Sequence, residues 1–317
     1  MADVGCAGLI VEDTFCGPMA GLPPEGALLL IDDMCVRAGG CAANVAIDLA
    51  KQGISVDLAG CVGTDGAADT LFGIFAAHGV DCSRVVRVEQ CRTSKTVILI
   101  VKGQDRRYLH VAGANTAFTV DRLQQEWLSG LKVFYVGGLF AMPGIDFEKL
   151  AAMLTFCREK KVTTVVDVVI PHEFTDLSEL PRLLPSIDVF VPNDQEARAI
   201  TGLTDPFDQL RALQNAGANT VIITRGERGS VATRGGKAWS CGAYDMNVVD
   251  PSGSGDAFTS GVIRSILLRY EIPQTLRYAS AMGASVTRAA GTTDTAFSAE
   301  EAEAFLIQNP IAVSDEN

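Results

Sequence analysis

Histidine is scarce: His78, His110 and His172 are the only three in 317 residues, and their spacing suits no metal ion. A zinc hydrolase or a Ser-His nucleophile scheme therefore lacks its parts. The nine cysteines, Cys6, Cys41, Cys61, Cys157 and Cys241 among them, form no C-x-x-C pair, and their number is odd. Neither a zinc knuckle nor a disulfide framework is expected, and buried free thiols are. Positive charge is short as well, with 26 Lys and Arg against 38 Asp and Glu, a net charge of -12 and no basic cluster. That excludes nucleic acid as a partner. Long apolar runs are missing too: TVILIV from Thr96 is too short to cross a bilayer, and the acidic start MADVGCAGLIVED has no positive lead-in. A cytoplasmic protein with no membrane contact is expected. No G-x-x-x-x-G-K-[ST] occurs, the G-x-G-x-x-G that begins at Gly253 ends on Phe258, and Ser252 and Ser254 lack a G-x-S-x-G frame.

What is present is apolar and ordered, 48% hydrophobic and 20% charged, enough for one large core. Runs such as KVFYVGG from Lys132, TTVVDVV from Thr163, IDVFVPN from Ile187 and TVIITRG from Thr220 read as strands covered on both faces. Between them DFEKLAAMLTFCREK from Asp146 and DPFDQLRALQNAG from Asp205 read as helices. The alternation predicts an α/β domain over the whole chain, a mainly parallel sheet between helical layers. Two segments break the rhythm: EGALLLIDDMCVRAGG from Glu25, and RTSKTVILIVKGQDRRYLHVAGAN from Arg92, two strands turning at KGQD. Strands without a covering helix must pair with each other, so residues about 14–38 and 92–115 are expected to form a small sheet. It serves either as a lid over a substrate or as a dimer interface. The final SDEN is expected to fray.

The densest chemistry lies in VVDPSGSGDAFTSGV, Val248 to Val262. DMNVV reads as a short strand, and DAFTSGVIRSILLRY as a helix with Phe258, Val262, Ile263, Ile266, Leu267 and Tyr270 on one face. Gly253 and Gly255 leave the peptide N–H groups uncovered at the end of that helix where the dipole favours an anion, such as a polyphosphate. Asp256 in the first turn is then either a proton acceptor for a hydroxyl attacking phosphorus or a cap.

These residues resemble the ribokinase-like (PfkB) sugar kinases. DPSGSGDAFTSGVI matches the family's carboxy-terminal signature, and GGCAANVAIDLAKQGISVDLAGCVG, Gly39 to Gly63, its amino-terminal one. GLIVED ending in Asp13, GTDG, AGAN, PNDQE, TRGERG and SVTR extend the likeness along essentially the whole chain. The resemblance implies a ribokinase-like three-layer sandwich with a β-sheet lid, and an ATP-dependent sugar kinase in which Asp256 is the base. Gly253, Ser254 and Gly255 would form the anion hole. Asp13, Gly39, Gly40 and Asn44 would hold the sugar, as paired glycines admit a ligand to the main chain and a carboxylate and a carboxamide bind hydroxyls. Asn193 and Glu196 would steer magnesium through water. Thr224, Gly226, Gly229, Gly255 and Ser280 would contact the nucleotide. Asp250, with Ser252 and Ser285, would hold a monovalent cation such as potassium. A homodimer through the lid sheet is also expected.

Departures from the family pattern bear on the substrate. Gly137 and Gly138 stand where ribokinases carry a Glu, Cys41 stands where they often carry a Lys, and Asp69 replaces a Gly, whereas AGAN is close to the ribokinase pattern. A nucleoside such as adenosine is the second substrate class, which the few aromatics near the substrate face, Phe15 and Tyr108, disfavour. The third alternative is a non-catalytic regulator that binds sugar or nucleotide.

Overall fold

The computed structural model describes residues 2–104, 106–171 and 176–316, so His172 and Asp105 of the KGQD turn lie outside it. The chain opens with β1 (Val4–Gly8), β2 (Val11–Met19), β3 (Met34–Gly39), α1 (Cys41–Lys51), β4 (Val56–Val62), α2 (Gly66–Ala77) and β5 (Asp81–Arg87). A hairpin follows, β6 (Lys95–Val101) and β7 (Arg107–Val111), then α3 (Gln125–Leu128) and β8 (Val133–Gly137). Next come α4 (Phe147–Glu159), β9 (Thr163–Val166), α5 (Leu180–Leu183), β10 (Val189–Phe190), α6 (Asp194–Thr201) and α7 (Pro206–Asn215). The last part holds β11 (Thr220–Thr224), β12 (Ser230–Arg234), β13 (Lys237–Cys241), α8 (Ser254–Leu267), α9 (Ile272–Val286), α10 (Ala299–Gln308) and β14 (Val313–Asp315).

Ten strands form the main sheet in the order β14-β13-β12-β11-β10-β9-β8-β1-β4-β5, parallel from β5 to β11 and antiparallel beyond. Side chains alternate between two helical layers, as the two-residue period of a strand requires. Phe134 and Val136 of β8 join the core under α4, α5 and α7, while Val133 and Tyr135 join the core under α1, α2, α8 and α9. The expected three-layer sandwich is therefore present. No helix among the described residues is long and apolar enough to cross a membrane.

The second sheet has the order β3-β2-β6-β7, with β2 and β6 parallel. Its hairpin turns where the sequence places it. The segment from Glu25 is strand only from Met34; Leu28 and Leu30 before it are 88% and 86% exposed, because nothing packs on them. Two local expectations differ from the fold. DMNVV is irregular, with Val248 and Val249 exposed and no strand paired to it among the described residues. SDEN does not wholly fray, since β14 pairs with the edge strand β13.

Helix α8 buries Phe258, Val262 and Ile263 as expected, but also Ala257, Thr259, Ser260, Gly261 and Ser265. Its small side chains let α9 approach closely: a Cβ on Gly261 would lie 2.7 Å from Ala279 Cα. Helix α1 closes a third side through hydrogen bonds from Asn44 and Gln52 to α8.

Candidate active site

Asp256 occupies the first turn of α8, whose N-cap is Gly253 in the left-handed region at φ 77°. A side chain on Gly253 would run into the Thr292 carbonyl at 2.2 Å, whereas Gly255 faces open space. Ser254 N–H donates to Pro251 O at 3.2 Å. The N–H groups of Gly255 and Asp256 find no acceptor among the described residues, as the first turn of a helix dictates. They remain available to an anion.

The Asp256 carboxylate accepts from Asn44 Nδ2 at 2.7 Å. Burial raises its pKa, and hydrogen bonds from Asn44 and Cys41 pull it back. Cys41, Asp167 and Asp256 bring one sulfur and two carboxylate oxygens within 4.8 Å of one another. Burial and the adjacent acids hold the Cys41 thiol protonated.

Asp13 lies in the small sheet beside Arg37 of β3 and Thr96 of β6. Burial lifts its carboxyl to about 7, the Thr96 hydroxyl opposes this and the Asp256 charge adds to it. The effect of the Asp256 charge on Asp13 sets the two carboxyls near one another. Gly39 and Gly40 are required here for a reason other than ligand approach. A Cβ on Gly39 would sit 2.0 Å from the Asp13 carboxylate, and one on Gly40 2.5 Å from Leu9 O. The space the glycines leave is filled by the chain itself.

Asn193 and Glu196 follow β10 and Thr224, Gly226 and Gly229 follow or end β11, while Ser280 lies on α9 against the end of β13. Asn193 bridges Thr224, and Thr224 N–H donates to Pro192 O at 3.1 Å. A Cβ on Gly229 would meet Cys241 O at 2.0 Å, and Ser280 Oγ donates to Cys241 Sγ at 3.9 Å. Gly226 has open space around it. Asn193 and Glu196 form a reciprocal capping box on α6. Burial lifts Glu196 to about 7 against the Asn193 N–H, and the Asp256 charge adds to it. Asp167 is raised by burial, then by Asp256 and, among the weaker causes, Glu196. Asp256 opposes the ionisation of both Asp167 and Glu196, which a divalent cation would relieve, and carboxylate oxygens are the donors magnesium takes, although Asn193 Oδ1 and Glu196 Oε2 are engaged in the capping box here.

The monovalent-cation set fits poorly. Asp250 is buried, and its Oδ1 accepts from Arg106 at 3.3 Å and from Ser252 N–H and Oγ at 3.0 and 2.8 Å. Arg106 also donates to Ser252 Oγ at 2.7 Å. The Ser285 carbonyl accepts from Arg288 and Thr295, both at 2.8 Å. Guanidinium groups and hydroxyls already fill these oxygens.

Arg106, Asp167 and Tyr135 escaped the sequence analysis. Asp167 accepts from the buried Tyr135 hydroxyl and from Gly138 N–H at 2.6 Å. One acid inside the otherwise apolar TTVVDVV run was the available signal. A side chain on Gly137 would strike the Tyr135 hydroxyl at 2.7 Å, so no glutamate fits there. The aromatics also divide: Phe15 is 2% exposed, while Tyr108 is 53% exposed.

The chain matches the family model "pfkB family carbohydrate kinase" over residues 4–299. It is 27% identical to a ribokinase of Haemophilus influenzae over 80% of its own length and 82% of that protein. It is 29% identical to a cytidine kinase of Thermococcus kodakarensis over 71% and 78%. In fold it resembles the structure of Arabidopsis thaliana ribokinase complexed with ribose and ATP. That likeness has a TM-score of 0.81 and 22% identity, and covers 96% of this chain and 98% of the other.

Proposed function

The chain belongs to the pfkB family of carbohydrate kinases, and we propose that it moves the terminal phosphoryl group of ATP onto a primary hydroxyl of a sugar or sugar-like molecule. Asp256 takes the hydroxyl proton as the new oxygen–phosphorus bond forms and the bond to the leaving ADP oxygen breaks. The N–H groups at the start of α8 receive the charge that develops on the phosphoryl oxygens. Asn193 and Glu196 would hold magnesium, which when bound neutralises phosphate charge. Asp13 and Asn44 bind substrate hydroxyls. The small sheet acts as a lid that keeps water from the phosphoryl group, and two copies pair through its outer face.

The observation that carries this proposal is Asp256 held at 2.7 Å by Asn44 inside a helix turn with uncommitted N–H groups. Asp256→Asn should lower kcat by about 10³-fold or more while nucleotide affinity is retained. ADP release at the wild-type rate from this variant would refute the base assignment. A nucleoside substrate is the second reading, favoured by the cytidine kinase relative. Phe15 is packed away, and Arg106 lies over the exposed Tyr108 ring at 5.8 Å, so neither aromatic offers a clear stacking face for a base. ADP release across a panel of sugars and nucleosides decides between the two.

A further inference from the structure

Asn44 and Asp48 of α1 and its C-cap Gln52 follow one another at four-residue spacing and so share one face. Asn44 donates to Asp256 of α8 at 2.7 Å, and Gln52 Nε2 donates to Ser260 of α8 at 3.0 Å. Asp48 is bracketed by these two contacts, which places its carboxyl in the seam between the helices. It is fully buried, and neither of its oxygens has a hydrogen-bond partner among the described residues. Nor has Asn44 Oδ1, one turn away and 3% exposed. Three neighbouring buried acceptors without a donor would be costly, and a single proton on Asp48 removes its charge, makes one of its oxygens a donor and gives Asn44 Oδ1 a partner, leaving one Asp48 oxygen unmatched.

We infer that Asp48 is a positioning residue for the base: it remains a carboxylic acid and donates its proton to Asn44 Oδ1, which locks the amide with Nδ2 on Asp256. An amide is symmetric in shape, so its orientation is fixed only by what its oxygen accepts and its nitrogen donates. Asp48 supplies the donor that makes the orientation unique. The charged groups around it are Lys51 on α1, Asp256 on α8 and, further along α8, Arg264, which donates to Gln52 O at 2.8 Å. From the strands beneath, Cys6 and Tyr135 share the same core, and burial keeps both protonated. Burial likewise opposes the charged form of Asp48, outweighing Lys51.

The inference deepens the reading of Asp256 as base and rests on it, so two of its tests do not use activity. Infrared difference spectra of wild type against Asp48→Asn at neutral pH should show the carbonyl stretch of a protonated carboxyl group lost in the variant. No such band would mean an ionised Asp48 and would overturn the proposal. Second, a carboxyl with a raised folded-state pKa makes folding take up a proton, so wild type loses stability as pH rises above the ordinary carboxylate range. Asp48→Asn lacks that loss, and its melting temperature should gain on wild type between about pH 5 and pH 8. A constant difference overturns the inference. In turnover, Asp48→Asn keeps a donor and should lose about threefold in kcat, while Asp48→Leu should lose about 30-fold and shift the acid limb of its pH profile upward. A downward shift in both variants would instead mark removal of a charge and refute the assignment. Should the Leu variant fail to fold, the infrared and melting comparisons still decide.

Discussion

Asp13 carries the site's most accessible pH signal. Its carboxyl is lifted to about 7 by burial and by Asp256, and only the carboxylate accepts two substrate hydroxyls at once. The apparent affinity for the sugar should weaken as pH falls through about 7, with KM rising by up to about tenfold per unit, and KM for ATP should rise over the same range because Glu196 is lifted to about 7 as well. Asp13→Asn should flatten that limb and raise KM by about 10–100-fold. A wild-type KM that is constant from about pH 5.5 to pH 8 would exclude the role. Asp13, Asn44 and Asp256 were legible in the sequence because each sits in a motif with fixed spacing. Asp167 was not legible as a neighbour of Asp256, since the two meet only through the ordering of β8 and β9 beside α1. The purpose of Gly39 was hidden for the same reason, as the carboxylate filling its space belongs to another strand.

At the scale of elements, the β6–β7 hairpin reaches beyond its own sheet. It delivers Arg106 to the buried Asp250, and breaking a buried pair by removing one partner costs about 3–5 kcal/mol. The guanidinium occupies the Asp250 oxygen that the expected monovalent cation would need. Turnover of the wild type should change less than about twofold when potassium replaces a bulky inert cation. Arg106→Ala should fall by about tenfold or more and recover in part with potassium, which could then reach Asp250. Strong potassium activation of the wild type, measured by ADP release, would refute the substitution. The hairpin itself was readable from two apolar runs around KGQD, but the reach of its turn was not. Strands β8 to β11 were readable because both their faces are buried, so apolar content alone marks them. DMNVV carries the same composition and stays irregular, because no neighbouring strand supplies the backbone partners that composition cannot encode.

Across the whole molecule, the alternation of strands and helices dictated the layers, while the outer face of the small sheet tells what lies beyond one chain. Met34, Val36, Leu109 and Val111 share that face by register and are all exposed, and Leu28 and Leu30 are exposed in the segment that leads into β3. An apolar surface of this kind, rimmed by polar residues, marks an interaction site on a soluble protein. Pairing two lids through it would also tie the closure of one cleft to the other, because β2 carries Asp13 inward and Thr14 and Cys16 outward on alternate residues. Sedimentation should therefore give twice the 33.5 kDa of one chain. Leu109→Glu, which buries a charge at the pairing surface, should shift the mass to a single chain. The same variant should raise KM for the sugar several-fold with little change in the ATP site, since the lid strands lose their support. A wild type that sediments as a monomer at high concentration would sink the pairing and leave the lid to act alone.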